Sequence, residues 1–292
     1  MLRWRLLLGA LLIAALVGLL WVDYTVRPGL FVFLLALGVG AAATHEIASL
    51  VAATGHDPLL GGIYGGNMLV IASNAIPMFG TPAIDDQPLE RLGWPLVAFA
   101  LSLLAALVAE ISRYRRGGEA IVNAGLAVLA IAYVGVLLSF ALQLRMLGGP
   151  SSGMLVLVAL IVTVKFGDTG AYTIGRLFGR HRLAPSLSPG KTIEGAVGAI
   201  VAACAGAWLT FTYLPMWLGT NPVERTWAWL VFGVAVGVAG LVGDLAESLL
   251  KRDVGAKDSS ALLPGFGGVL DLVDSILFAA PVAYVCALLG MT

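Results

Sequence analysis

Apolar residues run along this chain in long blocks, separated by short polar connections that each hold a few charges. Crossing a bilayer takes about 20 mostly apolar residues. On that measure nine segments qualify, at roughly 6–22, 29–53, 60–79, 92–112, 120–143, 153–178, 193–219, 227–250 and 268–290. The third is the weakest, because it is Gly-rich and holds Asn67 and Asn74, and a re-entrant segment is its alternative. No connection is long enough to fold alone. The pattern therefore predicts an all-α polytopic membrane protein with about nine transmembrane helices, a single integral membrane domain over residues 1–292.

Composition sharpens this. Of the 292 residues, 59% are hydrophobic and 12% charged, where a soluble domain carries about 25% charged residues. The first apolar run has the charged start of a signal peptide, but Trp21-Val22-Asp23-Tyr24 ends it without a small-residue cleavage site, so an uncleaved span is expected. Cys204 and Cys286 lie inside apolar runs and read as small buried hydrophobes. His45, His56 and His181 show no Cys/His spacing, so neither a disulfide framework nor a zinc site is indicated. Formal net charge is zero and nothing indicates a nucleic-acid partner.

Zero net charge hides an asymmetry between loops. With nine spans, Arg3, Arg5, Arg113, Arg115, Arg116, Arg176, Arg180, Arg182, Lys191, Lys251, Arg252 and Lys257 all fall on one side. The other side receives Arg27, Arg91, Arg145 and Arg225 with acidic Asp85, Asp86 and Glu90. The positive-inside rule then makes the N-terminus cytoplasmic and the C-terminus external.

Charged groups inside spans are costly and point to function. They are His45 and Glu46, Lys165 and Asp168, Asp244 and Glu247, and Asp271 and Asp274. Asp244, Glu247, Ser248 and Lys251, spaced i, i+3, i+4 and i+7, form one polar stripe on an apolar helix. Asp271 and Asp274 share a face at the start of the last span. Lys165 with Asp168 reads equally well as a salt bridge between helices, and His45-Glu46 as helix packing or a lumen lining. Three acids beside several cations are harder to dismiss, since a metal or a substrate must offset their cost.

Two loops on the basic side suit phosphates. In Leu187-Ser188-Pro189-Gly190-Lys191-Thr192-Ile193-Glu194-Gly195, Ser188 is the expected N-cap, with Pro189 and Glu194 in the first helical turn. Such a helix start with a Lys beside it binds anions, and a capped helix with a positive-inside lysine is the plain alternative. Gly190-Lys191-Thr192 is not a P-loop, because Ser186 stands where the upstream glycine belongs and no strand is expected before it. The second loop, Pro264-Gly265-Phe266-Gly267-Gly268, reads as a tight turn by itself. Followed by Asp271 and Asp274, it places amides for phosphate beside carboxylates for Mg²⁺.

At these residues the chain resembles the phosphatidate cytidylyltransferases, also called CDP-diacylglycerol synthases. Their signature runs Ser-x-x-Lys-Arg, four residues, Lys-Asp, then Pro-Gly-His-Gly-Gly-x-x-Asp-Arg-x-Asp. This chain supplies Ser248, Lys251, Arg252, Lys257, Asp258, Pro264, Gly265, Gly267, Gly268, Asp271 and Asp274 at matching spacing. Gly243-Asp244-Leu245, Asp168-Thr169-Gly170-Ala171-Tyr172 and the Ser188–Gly195 stretch resemble other recurrent segments of that family. The matches cover about 165–275; residues 151–292 form the catalytic half, and 1–150 match only in hydropathy.

The resemblance implies attack of a phosphatidate oxygen on the α-phosphorus of CTP, giving CDP-diacylglycerol and pyrophosphate. It implies Mg²⁺ at Asp244, Asp271 and Asp274, with Asp168 a further candidate, and Lys251 beside the reacting groups. Lys191, Lys251, Arg252 and Lys257 would hold phosphates, with Ser188, Thr192, Ser248, Asp258, Gly267 and Gly268 completing the substrate site. It also implies a homodimer in the bacterial cytoplasmic membrane, its site facing the cytoplasm. Phe266 and Leu272 depart from the signature's His and Arg, removing a donor and a bidentate phosphate contact; the carboxylates remain, and activity is expected. Two other readings stay open: another lipid phosphate as acceptor, such as an isoprenoid one, and an ion-coupled transporter using the intramembrane charges. Nothing in 1–140 repeats the later motifs, which argues against the transporter.

Overall fold

The structure, a computed structural model, describes residues 2–80, 88–114, 117–220, 227–260 and 267–291. Pro264, Gly265 and Phe266, like Asp85, Asp86, Arg115, Arg116 and Arg225, lie outside the described residues. Among the described residues the chain is helical apart from one small hairpin. It divides into two compact units, one formed by 1–143 with 253–272, the other by 144–252 with 273–292. Among the described residues, eight helical segments are long and apolar enough to cross a membrane.

The first unit holds α1 (Leu2–Thr25), α2 (Leu30–Ala52), α3 (Leu60–Ser73), α4 (Ala75–Phe79), α5 (Pro88–Arg113), α6 (Ala120–Ile131) and most of α7 (Leu137–Met146). A single π-helical turn, Ala132–Val136, joins α6 to α7, and the three run as one span over Ala120–Met146. The segment expected at 60–79 is divided at Asn74 into α3 and α4, neither long enough to cross alone. A helix break inside an apolar medium strands backbone groups, and these must find partners within the protein. The fully buried Asn74 meets that need. Its Nδ2 donates to the Val70 and Ile71 carbonyls, both at 3.1 Å, while its Oδ1 accepts from Gln143 Nε2 at 2.8 Å. Asn67 Nδ2 reaches Ala130 O, one residue short of α6's end.

Helix starts receive the same treatment. Asp23, fully buried, accepts from the amides of Gly29, Phe31 and Val32 at 2.8–3.0 Å and so caps α2 from the end of α1. Gly29, the N-cap, has φ +89°, a left-handed turn open to glycine.

The second unit is built from α8 (Pro150–Phe178), α9 (Ile193–Leu218), α10 (Ala228–Asp253) and α11 (Val269–Leu288) from Val273 onward. α8 and α9 pack antiparallel with their backbones in contact. A Cβ on Gly170 would lie 2.5 Å from Gly198 O, and one on Gly198 would lie 2.5 Å from Ile174 Cβ. Small residues at such crossings let helices approach closely without a hydrophobic driving force between them. Gly243 does likewise for α10 and α11, with a Cβ there 2.5 Å from Phe278 Cβ and 3.0 Å from Asp274 O. That contact sits beside Asp244 on one helix and at Asp274 on the other.

The loop before α9 corrects one expectation. Residues 188–192 are not the first turn of a helix: β1 (Arg182–Ala184) pairs antiparallel with β2 (Ser188–Thr192), and α9 begins at Ile193. Its N-cap is Thr192, whose Oγ1 accepts from Gly195 N at 3.1 Å, so Ser188 is no cap and Pro189 lies in a strand. Glu194 explains the choice. Its carboxylate accepts from the amides of Arg180 and His181 and pairs with His181 Nδ1 at 2.6 Å, which ties the hairpin's start to the helix.

Overpacking a close crossing typically costs about 1–3 kcal/mol. Gly170→Leu should cost the detergent-solubilised protein stability of that order, read as a lowered thermal unfolding midpoint. Gly38→Ala, at a glycine with open space around it, should leave the midpoint unchanged or raise it.

Candidate active site

The second unit gathers acids and bases from four elements. On α8, Lys165 Nζ lies 3.0 Å from Asp168 Oδ2, one turn apart, both side chains partly exposed. On β2, Lys191 Nζ lies 2.7 Å from Asp244 Oδ2 of α10. The hairpin thus delivers its lysine to the acid stripe, as a helical start at Ser188 would not have done. Asp274 of α11 is buried, and Asp244, Asp168 and Lys165 all act electrostatically on it. The set holds three carboxylates and two ammonium groups, so one negative charge is left over. Intramembrane charge that does not cancel calls for a further cation.

Farther along α10, Glu247 pairs with Lys251, both buried. The expected stripe is real, but its lower half is an internal ion pair, in which Glu247 holds the lysine's head. Ser248 is half-buried between them in sequence. Arg252 is exposed and donates from Nε to Leu187 O at 3.2 Å, which ties the end of α10 to the hairpin loop. Ser188 and Thr192 end β2, and the Thr192 hydroxyl serves as the α9 cap.

The remaining signature residues belong to the first unit. Lys257 and Asp258 are exposed. Asp271, at the third position of α11, accepts through Oδ2 from Gly268 N at 2.7 Å, Ser259 N at 3.0 Å and Ser259 Oγ at 2.8 Å. Gly267 has φ +88°, a conformation side chains rarely adopt. Glu46, Ser259 and Ser260, which sequence reasoning left outside the site, surround this turn. Their signal was present in the adjacency of Ser259-Ser260 to Lys257-Asp258 and in a glutamate on an apolar helix.

Comparison with known proteins shows the family of the chain. A family model described as "Cytidylyltransferase family" matches residues 3–289. The chain is 34% identical over 186 residues to a Staphylococcus saprophyticus protein named phosphatidate cytidylyltransferase, covering 64% of this chain and 65% of that protein, just under two thirds. It is 29% identical over 291 residues to the protein of that name from Chlamydia muridarum, covering 98% and 92%. With the Haemophilus influenzae protein of that name the identity is 40% over 133 residues, 45% of each chain. The match runs through the N-terminal helices as well as the signature, and the chain belongs to the cytidylyltransferase family.

Proposed function

We propose that this chain transfers the cytidylyl group of CTP to phosphatidate, releasing pyrophosphate and leaving CDP-diacylglycerol in the membrane. The observation that carries the proposal is the cluster of Asp168, Lys165, Lys191, Asp244 and Asp274, drawn from four elements and short of one positive charge. Two anionic reactants meet in this chemistry, so positioning and charge neutralisation supply most of the barrier reduction. The attacking phosphate monoester is largely ionised at neutral pH, and no general base is needed.

Mg²⁺ fits the residues present. Asp244 and Asp274 would hold it, with Asp168 and Asp271 the further carboxylates assigned to the set. Among the described residues, no group of three or more His, Cys, Asp or Glu side chains could hold an ion unaided. Mg²⁺ usually takes one or two carboxylates and completes its shell with water and substrate phosphates. When bound, the ion polarises phosphoryl oxygens and neutralises charge as it develops. The chain's own cations do the rest. Lys191, set against Asp244, would exchange that carboxylate for a CTP phosphate, while the exposed Arg252 and Lys257 would hold the triphosphate or the lipid phosphate, joined by Lys251 once it leaves Glu247. Ser188, Thr192, Ser248, Asp258, Gly267 and Gly268 complete the substrate site in the roles that the family signature implies.

The basic residues of the loops support a site facing the cytoplasm, where CTP is made. A homodimer is the expected assembly, checked by the mass of the protein–detergent complex.

Purified protein supplied with CTP, Mg²⁺ and phosphatidate should release pyrophosphate, and chelation of the metal should stop it. A wild-type protein inert toward phosphatidate but active on an isoprenoid phosphate would move the assignment to that acceptor. Asp274→Asn should lower kcat/KM by about 10²–10³-fold, the scale of losing one preorganised electrostatic contact, with the folded protein retained in size-exclusion chromatography. Lys191→Gln should weaken turnover and raise the KM for CTP; an unchanged KM would remove Lys191 from the phosphate site.

A further inference from the structure

Glu46 sits on α2, far in sequence from every signature residue, and is 2% exposed. Its carboxylate is saturated. Oε1 accepts from Ser260 Oγ at 2.7 Å and from Val269 N at 2.9 Å. Oε2 accepts from Leu270 N at 2.7 Å and from Ser259 Oγ at 2.9 Å. An ionised carboxylate offers about four lone-pair sites, and four groups approach this one, the single Ser259 proton being shared with Asp271. Two of these are backbone amides of the first turn of α11, which have no partner within the helix.

The arrangement has a second half. The Ser259 hydroxyl also lies 2.8 Å from Asp271 Oδ2, so one hydroxyl bridges Glu46 to the signature acid. Asp271 in turn takes the amides of Ser259 and Gly268. Gly268 has no room for a side chain: a Cβ there would collide with the Ser259 hydroxyl and the Glu46 carboxylate. Glu46 therefore joins the stretch just before position 261 to the stretch just after 266, and everything it joins lies in the first unit.

We propose that Glu46 is a positioning residue for the cytidylyl transfer. Its buried carboxylate fixes Ser259-Ser260 against the first turn of α11, and so fixes where Asp271, Lys257 and Asp258 stand. This rests on the function proposed above, and it assigns the N-terminal helices a part in the chemistry that neither motif nor hydropathy gives them. Hydrogen bonds to a buried charge are the strong ones, and small displacements of reacting groups can cost about 10²-fold in rate.

Glu46→Gln keeps the side chain's shape but turns one oxygen into a donor facing donors. Turnover with CTP and phosphatidate should fall by about 10²-fold. Ser260→Ala, which removes one hydrogen bond to a charge, should lower turnover about tenfold. Because both act through one structure, the double variant should be no worse than Glu46→Gln alone; losses that multiply would overturn the proposal, as would wild-type turnover in Glu46→Gln. Amide hydrogen exchange at Val269 and Leu270 should quicken at least about tenfold in Glu46→Gln, and unchanged exchange would overturn the clamp whatever the kinetics. Should Glu46→Gln not fold, Ser260→Ala carries the test: a tenfold loss at an unchanged unfolding midpoint supports the role, and full turnover refutes it. A wild-type protein inactive toward CTP and phosphatidate would fail the functional reading instead, leaving the clamp to be judged by exchange alone.

Discussion

Every helix inside a bilayer begins with amides that nothing in the helix can satisfy, and there is no water to take their place. This protein answers with carboxylates brought from elsewhere in the chain. Asp23 serves α2, and Glu46 with Asp271 serves α11. At the surface Glu194 serves the hairpin ahead of α9. Each acid that would be a liability in lipid is neutralised by donors that would be liabilities too. The solution fixes geometry as well as energy, because a carboxylate with several donors has few ways to move.

Set against that economy, the cluster around Asp274 is the exception. Two of its acids meet lysines, Asp168 with Lys165 and Asp244 with Lys191, while Asp274 takes the amide of Ser275. Asp168 and Asp244 are partly exposed, so their lysine partners can exchange. Exchange is what the proposed site for a metal and two phosphates would require, since the resting lysine pairs would have to give way to substrate.

Much of this was legible in the residues. The last three spans, expected at 193–219, 227–250 and 268–290, fall at Ile193–Leu218, Ala228–Asp253 and Val269–Leu288, since long apolar runs report helices directly. The acids and cations of the signature were legible because charge in a membrane segment is rare. What stayed hidden depended on partners distant in sequence. Asn74 divides the third segment only because Gln143 and the carbonyls around it complete its hydrogen bonds. The hairpin before α9 has strands of three and five residues, too short for alternation to show, and it owes its register to Glu194. Glu46 looked like a packing residue because its partners lie more than 200 positions away, Ser259 being 213 residues on.

The tie between Glu194 and the hairpin bears on how the enzyme could be regulated by its own motion. Lys191 owes its place to backbone pairing and to a helix start, while the acid it faces rides on α10. Sliding α9 lengthwise by even part of a turn would therefore drag the ammonium group off its counter-ion.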